Sequence, residues 1–448
     1  MKNIFRSLAM AGLLLAAPLA GCNDKLDIEP VNDIPGENAL LTSADVQAAL
    51  VGAYDATSSN RVYGGYVQFI SELLADDGDF EFVGTFVQPR ETQFKAVLTN
   101  NSFVSATWND SYRAINIANN VLANLDKVSE VERKRVEGEA RFLRASLYFE
   151  LVRLYGRAWN DGNPQTNPGV PLVLTPTVAF SAADKVARNT VAEVYAQVIT
   201  DLSTAEANIA ASNGFFATKA AAAGMLARVY LQQGRFAEAA SAANRVIASN
   251  RYSLAPSYAE AFEPTANTSE DVFAIQITQQ DGLNDLNTYF SPTQRGDIEV
   301  SDQHFERYEA GDERADFFDD VYTLKFDQQY GNIRILRLAE MYLIRAEGNL
   351  RTGGTVGATP LADINTVRER AGLPDLTSVT LADILKERRL ELSFEGARLH
   401  DLKRNQEQAT TPDSPPVIIP WNSPRLVLPI PQRERDVNPN LVQNPGYN

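Results

Sequence analysis

The chain has one cysteine and two histidines in 448 residues. A single thiol, Cys22, closes no intramolecular disulfide and forms no redox pair. His304 and His400 lie far from it and build none of the usual zinc clusters. Tryptophan is scarce, with three residues against 16 tyrosines and 21 phenylalanines, so aromatic faces come chiefly from Tyr and Phe. Beyond the N-terminus no run approaches the ~20 apolar residues of a membrane-spanning helix. The HExxH, G-x-S-x-G, P-loop and dinucleotide glycine patterns are all missing. That search leaves open a hydrolase needing only two carboxylates. Basic residues are outnumbered, 41 to 57, for a net charge of −16. Nucleic acid is therefore not an expected partner, because phosphate contacts need clustered cations, and neutral ligands or a basic partner surface fit the balance better.

What is present begins with an export signal. Lys2 and Arg6 precede an apolar stretch from Leu8 to Leu19, and small residues lead into the cysteine in "LAGCNDKLDIEP". Leu19-Ala20-Gly21-Cys22 resembles the bacterial lipobox, which implies a signal peptide over 1–21 and a lipidated Cys22 as the mature N-terminus. Two acyl chains suffice for stable anchoring, at about 0.8 kcal/mol per buried methylene. From Asn23 to about Leu40 the sequence carries Pro30, Pro35, Gly36 and acids but no apolar period, and reads as an extended leader giving reach from the lipid surface.

The body reads as mainly α. Thr42 and Ser43 offer caps to a helix with Val46, Leu50 and Tyr54 at helical spacing. Three later runs, "LRASLYFELVRLYG", "LARVYLQQG" and "LAEMYLIRAEG", set an alanine three residues before a tyrosine: Ala145 and Tyr148, Ala227 and Tyr230, Ala339 and Tyr342. The middle run continues through Gly234, Phe236, Ala239 and Ala243, the order of a tetratricopeptide helix pair. Alanine lets two antiparallel helices approach and tyrosine fills the groove beside it. A regular array would repeat at about 34 residues. These units do not, because long segments, chiefly Arg157 to Lys185 and Asn250 to Tyr330, interrupt them. Inside the second, "EDVFAIQIT" reads as a strand through Val272, Phe273, Ile275 and Ile277. "TLADILKERRLELSFEGARLHDLKR" reads as one C-terminal helix whose leucine stripe includes Arg388 and Glu395, which predicts a semi-buried ion pair between helices.

Four blocks carry a resemblance to the SusD/RagB family of outer-membrane nutrient-capture lipoproteins: "EARFLRASLYFELVRLYG", "RLAEMYLIRAEG", "NTVRERAGLP" with "ILKERRLELSFEGARLHDLKR", and "LPIPQRERDVNPNLVQNPGYN". With the lipobox and "SEDVFAIQIT" they span nearly the whole mature chain. The resemblance implies a tetratricopeptide-like frame of about four helical pairs, mainly 108–156, 188–250 and 334–404. It implies a loop-rich ligand half with few short strands, mainly 57–107, 157–187, 250–333 and 405–448, in a single body over 41–448. It further implies a lipid-anchored protein of the outer membrane, facing the exterior, that captures an oligosaccharide and passes it to a SusC-like TonB-dependent transporter, without cofactor or catalysis. Peptide capture, as in RagB-like members, a carboxylate glycosidase and a tetratricopeptide protein-interaction scaffold are the alternatives. One departure is that the acids after Cys22 (Asp24, Asp27, Glu29) are spread, where surface-export signals in this group resemble a compact acidic run.

Sugar binding needs exposed aromatic faces beside groups that bond hydroxyls. The candidates are Tyr63, Tyr66, Phe86, Trp108, Tyr289 and Phe290, with Asn109 and Arg295 close by in sequence. Trp159 and Trp421 stand in Pro- and Gly-rich surroundings, and Trp108, at the start of a helix, has an alternative role sealing the frame. The acid run "ADDGDFEF" holds Asp76, Asp77, Asp79 and Glu81 but lacks the Gly and the closing Glu of a calcium loop, so these acids are expected to be solvated and no metal is expected.

Overall fold

A computed structural model describes residues 40–177, 181–263, 266–280 and 282–447. The signal, Cys22 and the leader before residue 40 lie outside the described residues. The frame opens with α1 (Ser43–Ser58), where Thr42 and Asp45 form a reciprocal capping box and Val46, Leu50 and Ala53 turn inward. Next come α2 (Tyr66–Ala75), β1 (Phe80–Phe82) and α3 (Val87–Gln93). Two long helices follow, α4 (Ser102–Ala123), capped by the Asn101 side chain, and α5 (Glu130–Tyr155). Then come α6 (Val191–Asn208), α7 (Lys219–Gln232) and α8 (Phe236–Ile247).

The next segment holds β2 (Asp271–Ile275), α9 (Asp285–Phe290), β3 (Ile298–Val300), α10 (Asp302–Phe305), β4 (Phe318–Asp319), β5 (Tyr322–Thr323) and β6 (Ile333–Arg337). The chain returns to helix with α11 (Leu338–Thr352), α12 (Pro360–Arg370), α13 (Leu381–Glu391) and α14 (Arg398–Asn405), and ends with β7 (Ala409–Thr410), β8 (Ile418–Ile419) and α15 (Gln432–Val437).

The long helices pack successively, α1 on α4, α4 on α5, and onward through α6, α7, α8, α11 and α12. This is the tetratricopeptide-like frame of four pairs: α1/α4, α5/α6, α7/α8 and α11/α12. The alanines behave as the spacing predicts, since Ala145, Ala227 and Ala339 are all fully buried. The tyrosines diverge. Tyr148 is sealed, with its hydroxyl donating to the Val173 carbonyl at 2.8 Å. Tyr230 and Tyr342 are half-buried, beneath the guanidinium groups of Arg235 and Arg345. Among the described residues every sheet is a two-stranded antiparallel pair. The strand read from "EDVFAIQIT" is β2, and its partner β6 runs directly into α11.

The C-terminal run is not one helix. It breaks after Glu391, and α14 resumes at Arg398. Phe394 and Gly396 in the break hold left-handed φ angles of 64° and 81°. The buried ion pair expected between helices is present, joining α13 to α14 through Arg388 and Asp401. Arg388 bonds Asp401, and Glu395 bonds Lys325 and Arg337, because the break turns the two residues toward different elements. Gly396 is required here for two reasons: its φ is left-handed, and a Cβ would lie 2.8 Å from the Gln68 Cα. Gly396→Ala should therefore cost about 1–3 kcal/mol, read as a lower urea midpoint at unchanged m-value.

Candidate functional site

The eight sequence candidates divide by burial. Tyr63 is 2% exposed, and its hydroxyl donates to the Glu150 carboxylate at 3.0 Å. Trp108 is 3% exposed and packs on Tyr112 and Tyr155, so it seals the frame. Phe290 is 1% exposed, between Phe69, Phe326 and Phe394. Ring faces enclosed in this way offer no surface to a sugar, and these three positions are corrected to core. Tyr289 is also buried, stacked on Phe69 at 4.0 Å, although its hydroxyl hydrogen-bonds that of Tyr66. Burial raises both phenols.

The remaining candidates are brought to the surface, three of them together. Tyr66, half-buried at the start of α2, stacks on Phe103 of α4 at 4.3 Å with the rings 5° from parallel. Phe86, 41% exposed at the foot of α3, stands 6.5 Å from Phe103. The Arg295 guanidinium lies 4.0 Å from the Phe86 ring centroid and is tied to Asp297 at 2.7 Å. Val83 and Val87, both exposed, widen the apolar surface around Phe86. Asn109 is exposed on α4. The result is a platform of Tyr66 and Phe86 on a buried Phe103 base, with one cation over the Phe86 ring.

A groove of 380 Å³ is attached to this platform, lined by Asp55, Ser59, Asn60, Asp110, Arg113 and Asp285 among others. Helix α4 supplies both parts, and α9 supplies the groove and the buried ring behind Tyr66. Phe103 and Asp110 are two turns apart on one side of α4, and Asp285 precedes Tyr289 by one turn in α9. The α1–α2 connection closes tightly on α9, since a Cβ at Gly65 would lie 2.7 Å from the Asp285 Cβ. Asn60 donates to Asp285 at 2.9 Å and Ser59 to Asp110 at 3.1 Å. Burial raises the Asp285 carboxyl, with the Asn60 and Thr288 hydrogen bonds opposing it. Carboxylates, amide, hydroxyls and a guanidinium along a groove of this size can bond several ring hydroxyls, while the platform takes an apolar ring face.

Sequence reasoning missed Phe103 and the groove residues. Phe103 reads as the first apolar position of a helix, and only the fold sets it under Tyr66. Three of the four acids in the run are placed differently from their expectation, while Glu81 is exposed as expected. Asp77 and Asp79 are not solvated but bound by Arg389, with Arg398 on Asp77 and Arg307 on Asp79, and Asp76 is buried. Among the described residues no cluster of His, Cys, Asp and Glu has metal-ligating geometry. No helix among them is long and apolar enough to cross a membrane. Trp159 is half-buried against Tyr195, and Trp421 is half-buried.

Residues 315–447 match the family described as the SusD family, and residues 26–231 match the one described as starch-binding associating with outer membrane. SusD-like protein P2 of Formosa agariphila is 28% identical over 97% of this chain and 98% of its own length. Among solved structures, a SusD superfamily protein from Bacteroides thetaiotaomicron superposes with a TM-score of 0.82 at 27% identity, covering 90% of this chain and 100% of that one. Surface glycan-binding protein A from Bacteroides uniformis superposes with a TM-score of 0.75 at 25% identity, over 90% and 99% of the two chains.

Proposed function

Because the chain belongs to the SusD/RagB family, we propose that it is a non-catalytic binding protein. In this reading it captures a glycan on the platform and groove and delivers it to a TonB-dependent outer-membrane transporter. The carrying observation is the half-open aromatic platform of Tyr66 and Phe86, seated on the buried Phe103, beside a groove rich in hydroxyl-bonding groups. Lipidation at Cys22 would hold the protein at the outer membrane, facing the exterior, with the leader giving it reach. The helical frame would face the transporter and the loop-rich half the ligand.

Titration of the purified protein against neutral polysaccharides and peptides, followed by calorimetry or tyrosine fluorescence, tests this directly. Heat or quenching with a glycan is expected, with no release of reducing ends. A response to peptides alone would replace the ligand class. Silence on both panels with firm transporter co-purification would replace capture by scaffolding, and release of reducing ends would end the non-catalytic reading. A Cys22→Ser variant is expected to lose acyl labelling and membrane retention together.

A further inference from the structure

Behind the platform helix lies a second, much narrower cleft, where α2, α5, α7, β6, the 392–397 break and α14 meet. Its free space is 40 Å³, room for a few water-sized particles and far too little for a sugar ring. Its walls are charged, and their hydrogen bonding is one-sided. The Glu150 oxygens accept from Tyr63 at 3.0 Å and from Arg153. Both Glu340 oxygens accept from Arg228, at 2.8 and 2.7 Å. Both Asp401 oxygens accept from Arg388, at 3.1 and 3.2 Å. Glu395 is held by Lys325 and Arg337. Every carboxylate lining the cleft is thus engaged.

The unengaged groups differ. Arg153 Nε and Arg388 Nη1 are buried without a hydrogen-bond partner, and so are His400 Nε2 and Gln68 Oε1. Arg153 and Arg388 belong to side chains more than nine-tenths buried. The His400 imidazole is held well below its ordinary range, first by burial and then by the charges of Arg153, Lys403 and Arg228. The ring is therefore held neutral, and in one tautomer it presents an Nε2–H. Two of these four groups, Arg153 Nε–H and Arg388 Nη1–H, can only donate, and both belong to cations. An anion needs donors alone, and charge-assisted donors bind it best.

We propose that this cleft is a binding site for a small monovalent inorganic anion of chloride size, held by Arg153 Nε–H and Arg388 Nη1–H with His400 Nε2–H as a third donor. The site is independent of the glycan reading. Because the folded state alone assembles it, occupancy stabilises the fold.

Crystals grown or soaked in sodium bromide test the placement. One buried anomalous peak is expected within hydrogen-bond distance of Arg153 and Arg388. A peak-free cleft holding only water overturns the proposal. In solution at fixed ionic strength, replacing sodium gluconate by sodium chloride should raise the melting temperature by roughly 2 °C per tenfold chloride above saturation. Identical melting in the two salts also overturns it. Gln68→Glu supplies a tethered carboxylate and should abolish both the chloride dependence and the bromide peak. Should that variant fail to fold, the two wild-type measurements decide alone.

Discussion

Replacing Arg337 by methionine should cost about 3–5 kcal/mol of folding stability, the loss expected when one partner of a buried ionic cluster is removed. The side chain is 1% exposed at the end of β6, and all five of its donors are engaged. Nη1 meets Glu270 at 2.7 Å and Glu391 at 2.8 Å, and Nη2 meets Glu395 at 2.7 Å. Methionine keeps the length and apolar stem but strands three carboxylates in the interior. Arg370 and Lys325 remain beside them, though each is already committed to the same acids. Lysine should rescue little, since its ammonium cannot reproduce a fork that reaches three carboxylates. Urea denaturation measures the effect, and a methionine variant within about 1 kcal/mol of the parent would contradict the account.

The same cluster sets part of the acid response. Burial alone would raise the Glu391 carboxyl, but Arg370, Arg337 and Arg314 outweigh it and hold the group at about 2. A depressed folded pKa contributes stability that is fully present above the unfolded value of about 4.3 and is lost as pH falls through the folded one. The parent should therefore shed this contribution between about pH 4.3 and pH 2. The Arg337→Met variant should show a shallower loss across that window, because it has less to give up.

This cluster also explains what was legible in the sequence. The blocks "NTVRERAGLP", "ILKERRLELSFEGARLHDLKR" and "RLAEMYLIRAEG" contain Arg337, Arg368, Arg370, Glu387, Arg388, Glu391 and Glu395, the residues that bind β6, α12, α13, the break and α14 to one another. Recognisable motifs and the architecture coincide because buried charges tolerate few substitutes. Helix caps and alanine contacts were legible for a local reason: a cap or a close approach is decided within a few residues. The break at Gly396 was not, since an apolar period continues through it and only the nearby Gln68 backbone demands the turn. The platform was half legible. Tyr66, Phe86 and Arg295 show themselves as aromatics and a cation in irregular segments, but so do Tyr63, Tyr289 and Phe290. Burial, which separates the two sets, is a tertiary property.

Truncation of Phe86 to alanine should weaken glycan binding by roughly 10–30-fold. Covering about 60–80 Å² of an apolar ring at ~25 cal/mol per Å² is worth about 1.5–2 kcal/mol. The ring is 41% exposed, so its loss should leave the unfolding midpoint nearly unchanged and separate binding from folding. Tyr66→Ala should be costlier on both counts, because that ring also carries the 4.3 Å stack on Phe103. Arg295→Ala removes the guanidinium from the Phe86 face and reports whether that cation assists the ligand or competes with it for the ring. Phe215, 66% exposed in the α6–α7 connection and with no ring contact to Tyr66, Phe86 or Phe103, is the matched control. If Phe215→Ala and Phe86→Ala bind a responsive glycan equally well, within about twofold of the parent, the platform is not the capture surface. A selective loss at Phe86, with the fold intact and the groove variant Asp285→Asn also weakened, would tie capture to the place where α2, α4 and α9 bring aromatic and polar groups together.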